Sequence, residues 1–208
     1  MYVESISAKV QANLELVGQT PLVDCFYLAG GTAIALHLGH RHSHDLDFFS
    51  PALFDKGDPR RFLGSLGQLT VEQEDEGTFL GALNDVRISF FIYPYPLLVS
   101  PVLFGAVRIA APEDLIVMKL DAIAARGKKR DFIDLYFMCR ESLPLYEMLP
   151  LVEQKYEGVK YNFTHLLKSL TYFEDAEADP MPQMLKPVSW HDVRCFFEQE
   201  AQSLLRQL

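Results

Sequence analysis

Cysteine is scarce in this 208-residue chain. Cys25, Cys139 and Cys195 lie far apart and none stands in C-x-x-C spacing. That argues against a disulfide framework or a cysteine-ligated zinc site. The three are expected to be reduced thiols in a cytoplasm. Basic charge is also short: 19 Lys and Arg face 28 Asp and Glu, a net charge of −9. Such a chain repels nucleic acid at long range, so a non-specific DNA coat is disfavoured, while a local basic patch is not. No stretch approaches the roughly 18 apolar residues of a membrane span, so no membrane partner is expected. Met1 to Leu14 carries Glu4 and Lys9 and no long apolar run, unlike a secretory leader.

What is present suits one domain of ordinary size with a normal core. Apolar residues make up 49% of the chain, with 15 Phe and 9 Tyr, and charged residues only 23%. Ile6, Val10, Leu14 and Val17 predict a helix over 4–17. Cys25 to Ala29 reads as a short buried strand broken by Gly30-Gly31. Thr32 is then expected to cap a helix that runs to Leu38 and stops at Gly39. Asp45 to Phe49 reads as the next strand, 55–59 as loop and 62–66 as helix. Strand-like runs at 69–74, 78–83 and 86–93, with turns at 74–77 and 84–85, predict an antiparallel meander. A short strand is expected at 107–109.

Beyond Pro112 the pattern is helical. Pro112-Glu113-Asp114 is a helix start, and Gly127 a stop. Further helices are predicted over 131–140, 145–155 and 163–173. After an acidic, Pro-rich loop over 176–187 comes a last helix from Ser189, with Val193, Phe197, Leu204 and Leu208 as its buried stripe. The fold class is therefore α+β. A core over residues 1–111 is followed by a helical region over 112–208.

Chemistry concentrates in Gly30-Gly31-Thr32 and Ser43-His44-Asp45-Leu46-Asp47. Residues two apart on a strand share a face, so Asp45 and Asp47 can converge. Two carboxylates suit a hard, oxygen-liking cation such as magnesium, which can neutralise charge in phosphoryl transfer. The glycine turn lets backbone N–H groups approach phosphate at a helix N-terminus. Ser43 could bond or accept phosphate. Leu46, Phe48 and Phe49 surround the acids with apolar residues, where unpaired acids would cost stability.

His40, His42 and His44 alternate around Arg41, near His37. No cysteine or fourth ligand has suitable spacing, so they read as polar surface, and Arg41 as a phosphate contact. Lys119 sits among Ile116, Leu120 and Ile123, which on that segment alone fits an ordinary lysine lying along an apolar surface. Arg126, Lys128, Lys129 and Arg130 form the one concentrated basic run. It reads as a solvated loop or an RNA-docking patch. Asp131 and Asp134 stand at a helix start, where acids favour the dipole.

Phe26 to Ser50, and Asp114 to Tyr136 with its Lys119 and Arg130-Asp131-x-x-Asp134, resemble the AbiEii/AbiGii-type nucleotidyltransferase toxins. The two segments span about half the chain in matching order, and 142–208 adds no motif. The resemblance implies a polymerase-beta-like nucleotidyltransferase N-terminal half, a mixed sheet with flanking helices, and a helical C-terminal half completing the cleft. It implies magnesium (or manganese) at Asp45 and Asp47, and a nucleoside triphosphate against Gly30, Gly31 and Ser43, beside which Thr32 and Arg41 stand as further candidate nucleotide contacts. Lys119 and Asp131 would complete the site. It further implies a toxin of a toxin–antitoxin or phage-defence pair, acting on tRNA, with docking near Arg126–Arg130, or on a protein, and held by a cognate antitoxin.

One position departs from the wider superfamily. Its third carboxylate is expected on the strand at 86–93, where this chain has Ser89. Asp85 and Glu72 are nearby acids, and Asp131 is another candidate for that place. Two other readings stay open: a catalytically weak nucleotide-binding regulator, and a nucleotidyltransferase acting on a small molecule.

Overall fold

The computed structural model describes residues 1–55, 57–159 and 162–206. A short 3-10 turn at Val3–Ser5 precedes helix α1, Ala8–Val17. The expected helix over 4–17 is thus shorter, because the Ser7 side chain accepts from the Val10 N–H and sets the start. Helix α2, Leu22–Cys25, leads into strand β1, Tyr27–Ala29.

Helix α3, Gly30–Leu38, follows with no intervening loop. Gly30 has φ +67°, the left-handed region that favours glycine, and this permits the abrupt change from strand to helix. Thr32 therefore lies inside α3 and does not cap it. Gly39 ends α3 in the left-handed conformation, as read.

Strand β2 is Leu46–Ser50. Asp45 falls just outside it, because its carbonyl is taken by the Thr32 hydroxyl. Helix α4, Gly57–Leu63, occupies much of the expected loop. Asp55 Oδ1 accepts from the Gly57 N–H, and Pro59 sits in the first turn, where its missing N–H is not needed. Strands β3 (Leu69–Asp75), β4 (Thr78–Leu83) and β5 (Val86–Ile92) form the meander. Asn84 and Asp85 both have positive φ at its second turn. Strand β6, Val102–Phe104, was not foreseen, and it pairs with β7, Val107–Ile109.

The seven strands form one mixed sheet in the order β3-β4-β5-β2-β1-β7-β6. β2 runs parallel to β5 and antiparallel to β1. One face of the central strands is apolar: Leu46, Phe48, Ile88 and Phe90 are buried. Phe48 and Phe90 stack at 5.0 Å, and each ring buried this way contributes about 1.5–3 kcal/mol.

The rest of the described chain is helical: α5 (Pro112–Arg126), α6 (Lys129–Glu141), α7 (Leu145–Lys155), α8 (Phe163–Ser169), α9 (Glu174–Glu177) and α10 (Trp190–Leu205). The helix predicted over 163–173 is shorter, ending at Ser169, and α9 lies beyond it, reaching into the stretch read as loop. Ser189 caps α10 in a reciprocal capping box with Asp192. Leu208, expected on its buried stripe, lies outside the described residues.

A mixed sheet with flanking helices followed by a helical half is the arrangement of a polymerase-beta-like nucleotidyltransferase. α3 packs against both α5 and α6, which joins the halves around a cleft. Among the described residues, no helix is long and apolar enough to cross a membrane.

Candidate active site

The cleft has a volume of about 520 Å³, lined by both halves, within the range of small-molecule pockets. Its floor is the second face of β2 and β5. The register pairs Asp47 with Ser89 and Phe49 with Phe91. The floor therefore runs from a charged row to an aromatic row, and Tyr93 extends it. Leu115, Met118, Lys119, Ala122 and Arg126 of α5 line the opposite wall.

At the charged end, Asp45 and Asp47 both face the cleft beside Gly30 and Gly31. Burial, and then the neighbouring Asp45 carboxylate, push Asp47 above the ordinary carboxylate pKa. A Cβ on Gly30 would stand 2.8 Å from Asp47 Oδ2, and one on Gly31 would collide with Arg41 Nη2. The two glycines thus let acid and guanidinium press against the N-terminus of α3.

Among the described residues, no group of three or more His, Cys, Asp or Glu is placed to hold a metal ion. Two adjacent carboxylates, one of them destabilised by the other, fit magnesium. That ion commonly takes one or two protein carboxylates and completes its shell with water and phosphate oxygens.

Ser43 is buried on the cleft wall. Thr32 does not line the cleft: its hydroxyl bonds Ser43 Oγ at 2.8 Å and the Asp45 carbonyl. It holds the loop that carries Ser43 and Asp45. Ser89 lies in the cleft beside Asp47, at the position where the wider superfamily's third carboxylate is expected. Asp85 and Glu72 do not line it; Asp85 pairs with Lys9, and Glu72 lies 3.9 Å from Arg87.

Lys119 is buried, with Nζ 2.9 Å from Asp131 Oδ1 and 3.0 Å from Asp134 Oδ2. Asp131 is also bonded by Arg126 Nε at 3.0 Å and Nη2 at 3.2 Å. Burial alone would raise the Asp131 pKa, but Lys119 and Arg126 hold it below the ordinary value. Asp131 is thus a wholly buried, fully paired carboxylate at the cleft wall.

The histidine reading needs correction at one position. His40 is not polar surface: it is fully buried, with Nε2 2.8 Å from Asp134 Oδ1. Arg41 is buried beside it and grips Asp134 through Nε at 2.6 Å and Nη2 at 2.8 Å.

The basic run is likewise not one solvated loop. Arg126 and Arg130 line the cleft, and Arg130 Nη1 lies 3.7 Å from Asp45 Oδ2. Lys129 is buried, because α6 begins there and turns it inward. Its ammonium sits 5.3 Å from the Trp190 ring and 3.3 Å from the Glu177 carbonyl, and Lys128 lies 3.6 Å from Asp179. The cleft residues missed in the sequence include Asp121 and Tyr93, and the partners of Asp134 were missed as well. The sequence places Asp134 at a helix start and in the Arg130-Asp131-x-x-Asp134 motif without showing what it binds; no local signal marks Asp121 or Tyr93 as cleft residues.

Known proteins resemble this chain along most of its length. The family model described as "Nucleotidyl transferase AbiEii toxin, Type IV TA system" matches residues 15–193. An uncharacterized protein of Aquifex aeolicus (strain VF5), aq_aa25, is 36% identical over 197 residues, 92% of this chain and 94% of its own. Among solved structures, JHP933 from Helicobacter pylori aligns at a TM-score of 0.56 and 18% identity, over 98% of this chain and 94% of that one. MenT4, a nucleotidyltransferase toxin of Mycobacterium tuberculosis H37Rv, aligns at 0.61 and 16%, over 93% and 82%. At these identities the structural likeness is one of fold.

Proposed function

Because the chain belongs to the AbiEii family of nucleotidyltransferase toxins, we propose that it transfers a nucleotide from a nucleoside triphosphate to an acceptor and releases pyrophosphate. The observation that carries this reading is the convergence of Asp45 and Asp47 with the Gly30-Gly31 helix start at one end of the cleft.

The triphosphate lies against the N-terminus of α3, where free backbone N–H groups and the helix dipole favour anions. Arg41 and Arg130 add positive charge there, and Lys119, paired to Asp131, fixes the wall opposite. Asp45 and Asp47 hold magnesium or manganese, which when bound neutralises charge that builds on the phosphoryl oxygens. The aromatic row of Phe49, Phe91 and Tyr93 receives the base, since such rings stack on nucleobases. Asp131 acts by holding Lys119 and Arg126, because those two residues already occupy its oxygens.

The acceptor is an RNA, tRNA among the candidates. Arg126 and Arg130 give the mouth of the cleft a cationic rim in a chain of net charge −9. A cationic small-molecule acceptor would meet that rim unfavourably. In the cell the chain is the toxin of a toxin–antitoxin pair and is restrained by a cognate antitoxin.

The test is incubation of the protein with labelled triphosphates, magnesium and total RNA. Label is expected to move to RNA, and Asp45→Ala or Asp47→Ala to abolish both transfer and growth arrest on expression. A wild-type protein that binds triphosphate and transfers nothing would instead identify a nucleotide-binding regulator.

A further inference from the structure

The buried carboxylate of Asp134 is the most heavily bonded side chain near the cleft, yet it does not line it. It is wholly inaccessible. Four donor atoms from three residues converge on it: His40 Nε2 at 2.8 Å, Arg41 Nε at 2.6 Å and Nη2 at 2.8 Å, and Lys119 Nζ at 3.0 Å. His40 and Arg41 follow α3, Lys119 is on α5 and Asp134 on α6. One carboxylate therefore ties together the three elements that surround the phosphate end.

The orientation of Arg41 gives this hub a purpose. A guanidinium has five N–H donors in a planar fork. Two bond Asp134, and a third, on Nη1, bonds the His42 carbonyl at 3.0 Å. One N–H on each terminal nitrogen remains, and Nη2 lies against Gly31, in the space a side chain there would fill. The fork is thus locked at the glycine turn, where a lysine would swing on a flexible stem.

We propose that Asp134 is a positioning residue for triphosphate binding: it fixes Arg41 so that its two remaining donors meet phosphate oxygens above the Gly30-Gly31 turn. This rests on the triphosphate reading of the cleft. Asp134 contacts no phosphate itself. Its effect passes through Arg41, so it discriminates the phosphate tail and not the base.

The experiment is calorimetric titration, with magnesium, of a non-hydrolysable triphosphate analogue and of the corresponding nucleoside. The proteins are wild type, Asp134→Asn, Arg41→Ala, Arg41→Lys and the double variant Arg41→Ala/Asp134→Asn. Asp134→Asn is expected to weaken the triphosphate by about 10- to 100-fold, the range for charge-assisted hydrogen bonds, and the nucleoside by less than about 3-fold. The double variant is expected to bind the triphosphate no more weakly than Arg41→Ala alone, since the two residues act as one unit.

Arg41→Lys keeps the charge and loses the locked fork, so a loss of about 10-fold or more is expected. It decides the matter if Asp134→Asn does not fold. The proposal is overturned if Arg41→Lys binds like wild type, if the two substitutions multiply, or if the nucleoside is weakened as much as the triphosphate. Wild-type protein that does not bind triphosphate would refute the underlying reading of the cleft instead.

Discussion

Replacing Gly30 by alanine separates a backbone cost from a catalytic one. At φ +67° an L-residue is strained by about 1–2 kcal/mol. For a chain of this length, each 1 kcal/mol lowers Tm by about 2–4 °C, so a drop of about 2–8 °C is expected from the backbone. The added Cβ would also stand 2.8 Å from Asp47 Oδ2, inside contact distance, so the carboxylate must rotate away. A misplacement approaching 1 Å at a reacting centre costs about 100-fold in rate. Gly30→Ala is therefore expected to lose about 100-fold or more of nucleotide transfer while remaining folded.

Gly105→Ala supplies the control. Gly105 has φ +60°, a Cβ there would meet nothing within 4 Å, and it lies outside the cleft. Its Tm is expected to fall by a similar amount with transfer unchanged. Thermal unfolding and label transfer, measured on both variants, check the pair. Equal activity of the two would refute the reasoning, because it would mean that the Gly30 contact with Asp47 has no part in transfer.

Other substitutions probe the same architecture. Asp47 has a folded pKa above its unfolded value, so its contribution to stability is full only below the unfolded pKa and is lost as pH rises through the folded pKa. Asp47→Asn is thus expected to abolish transfer yet raise Tm of the metal-free protein at pH 7, with the gain vanishing in acid; scanning calorimetry at several pH values checks it. Lys155 and Asp114 form a fully buried ion pair at 2.5 Å, so Lys155→Met should cost about 3–5 kcal/mol by stranding Asp114, read from denaturant unfolding. Ser89→Asp places a third carboxylate next to Asp47, and the magnesium concentration for half-maximal transfer is expected to fall about 3-fold or more; an unchanged titration would mean that this strand position does not face the cation.

The parts of this fold that could be read directly are those whose signals are local. α5 begins at Pro112 and stops at Gly127, as a proline in the first turn and a left-handed glycine predict. β4 was placed residue for residue by its flanking turns. Asp45 and Asp47 both reach the cleft although only Asp47 is on β2, so the alternation of a strand accounts for one of the two. What escaped depends on partners far along the chain. Asp134 meets Arg41 across 93 residues, and Lys155 meets Asp114 across 41. Neither pairing leaves a period or a turn residue behind. The same limit explains His40 and Lys129. Each is polar in a polar-looking stretch, and each can be buried because a distant carboxylate or carbonyl accepts its hydrogen bond. Strand β6 was missed since three exposed or half-exposed residues carry no alternation to detect.

The segment between α9 and α10 adds a consequence for how the protein comes into being. The Gln183 carbonyl accepts from the His42 N–H, and the Leu185 and Lys186 N–H groups both donate to the His40 carbonyl. The loop bearing Arg41 and Ser43 is therefore sewn down by residues made some 140 positions later. During synthesis at about 5–20 residues per second, the glycine turn and its acids leave the ribosome roughly 7–28 s before the clasp that holds their loop. Until the clasp is made, the loop bearing Arg41 and Ser43 lacks these three backbone bonds.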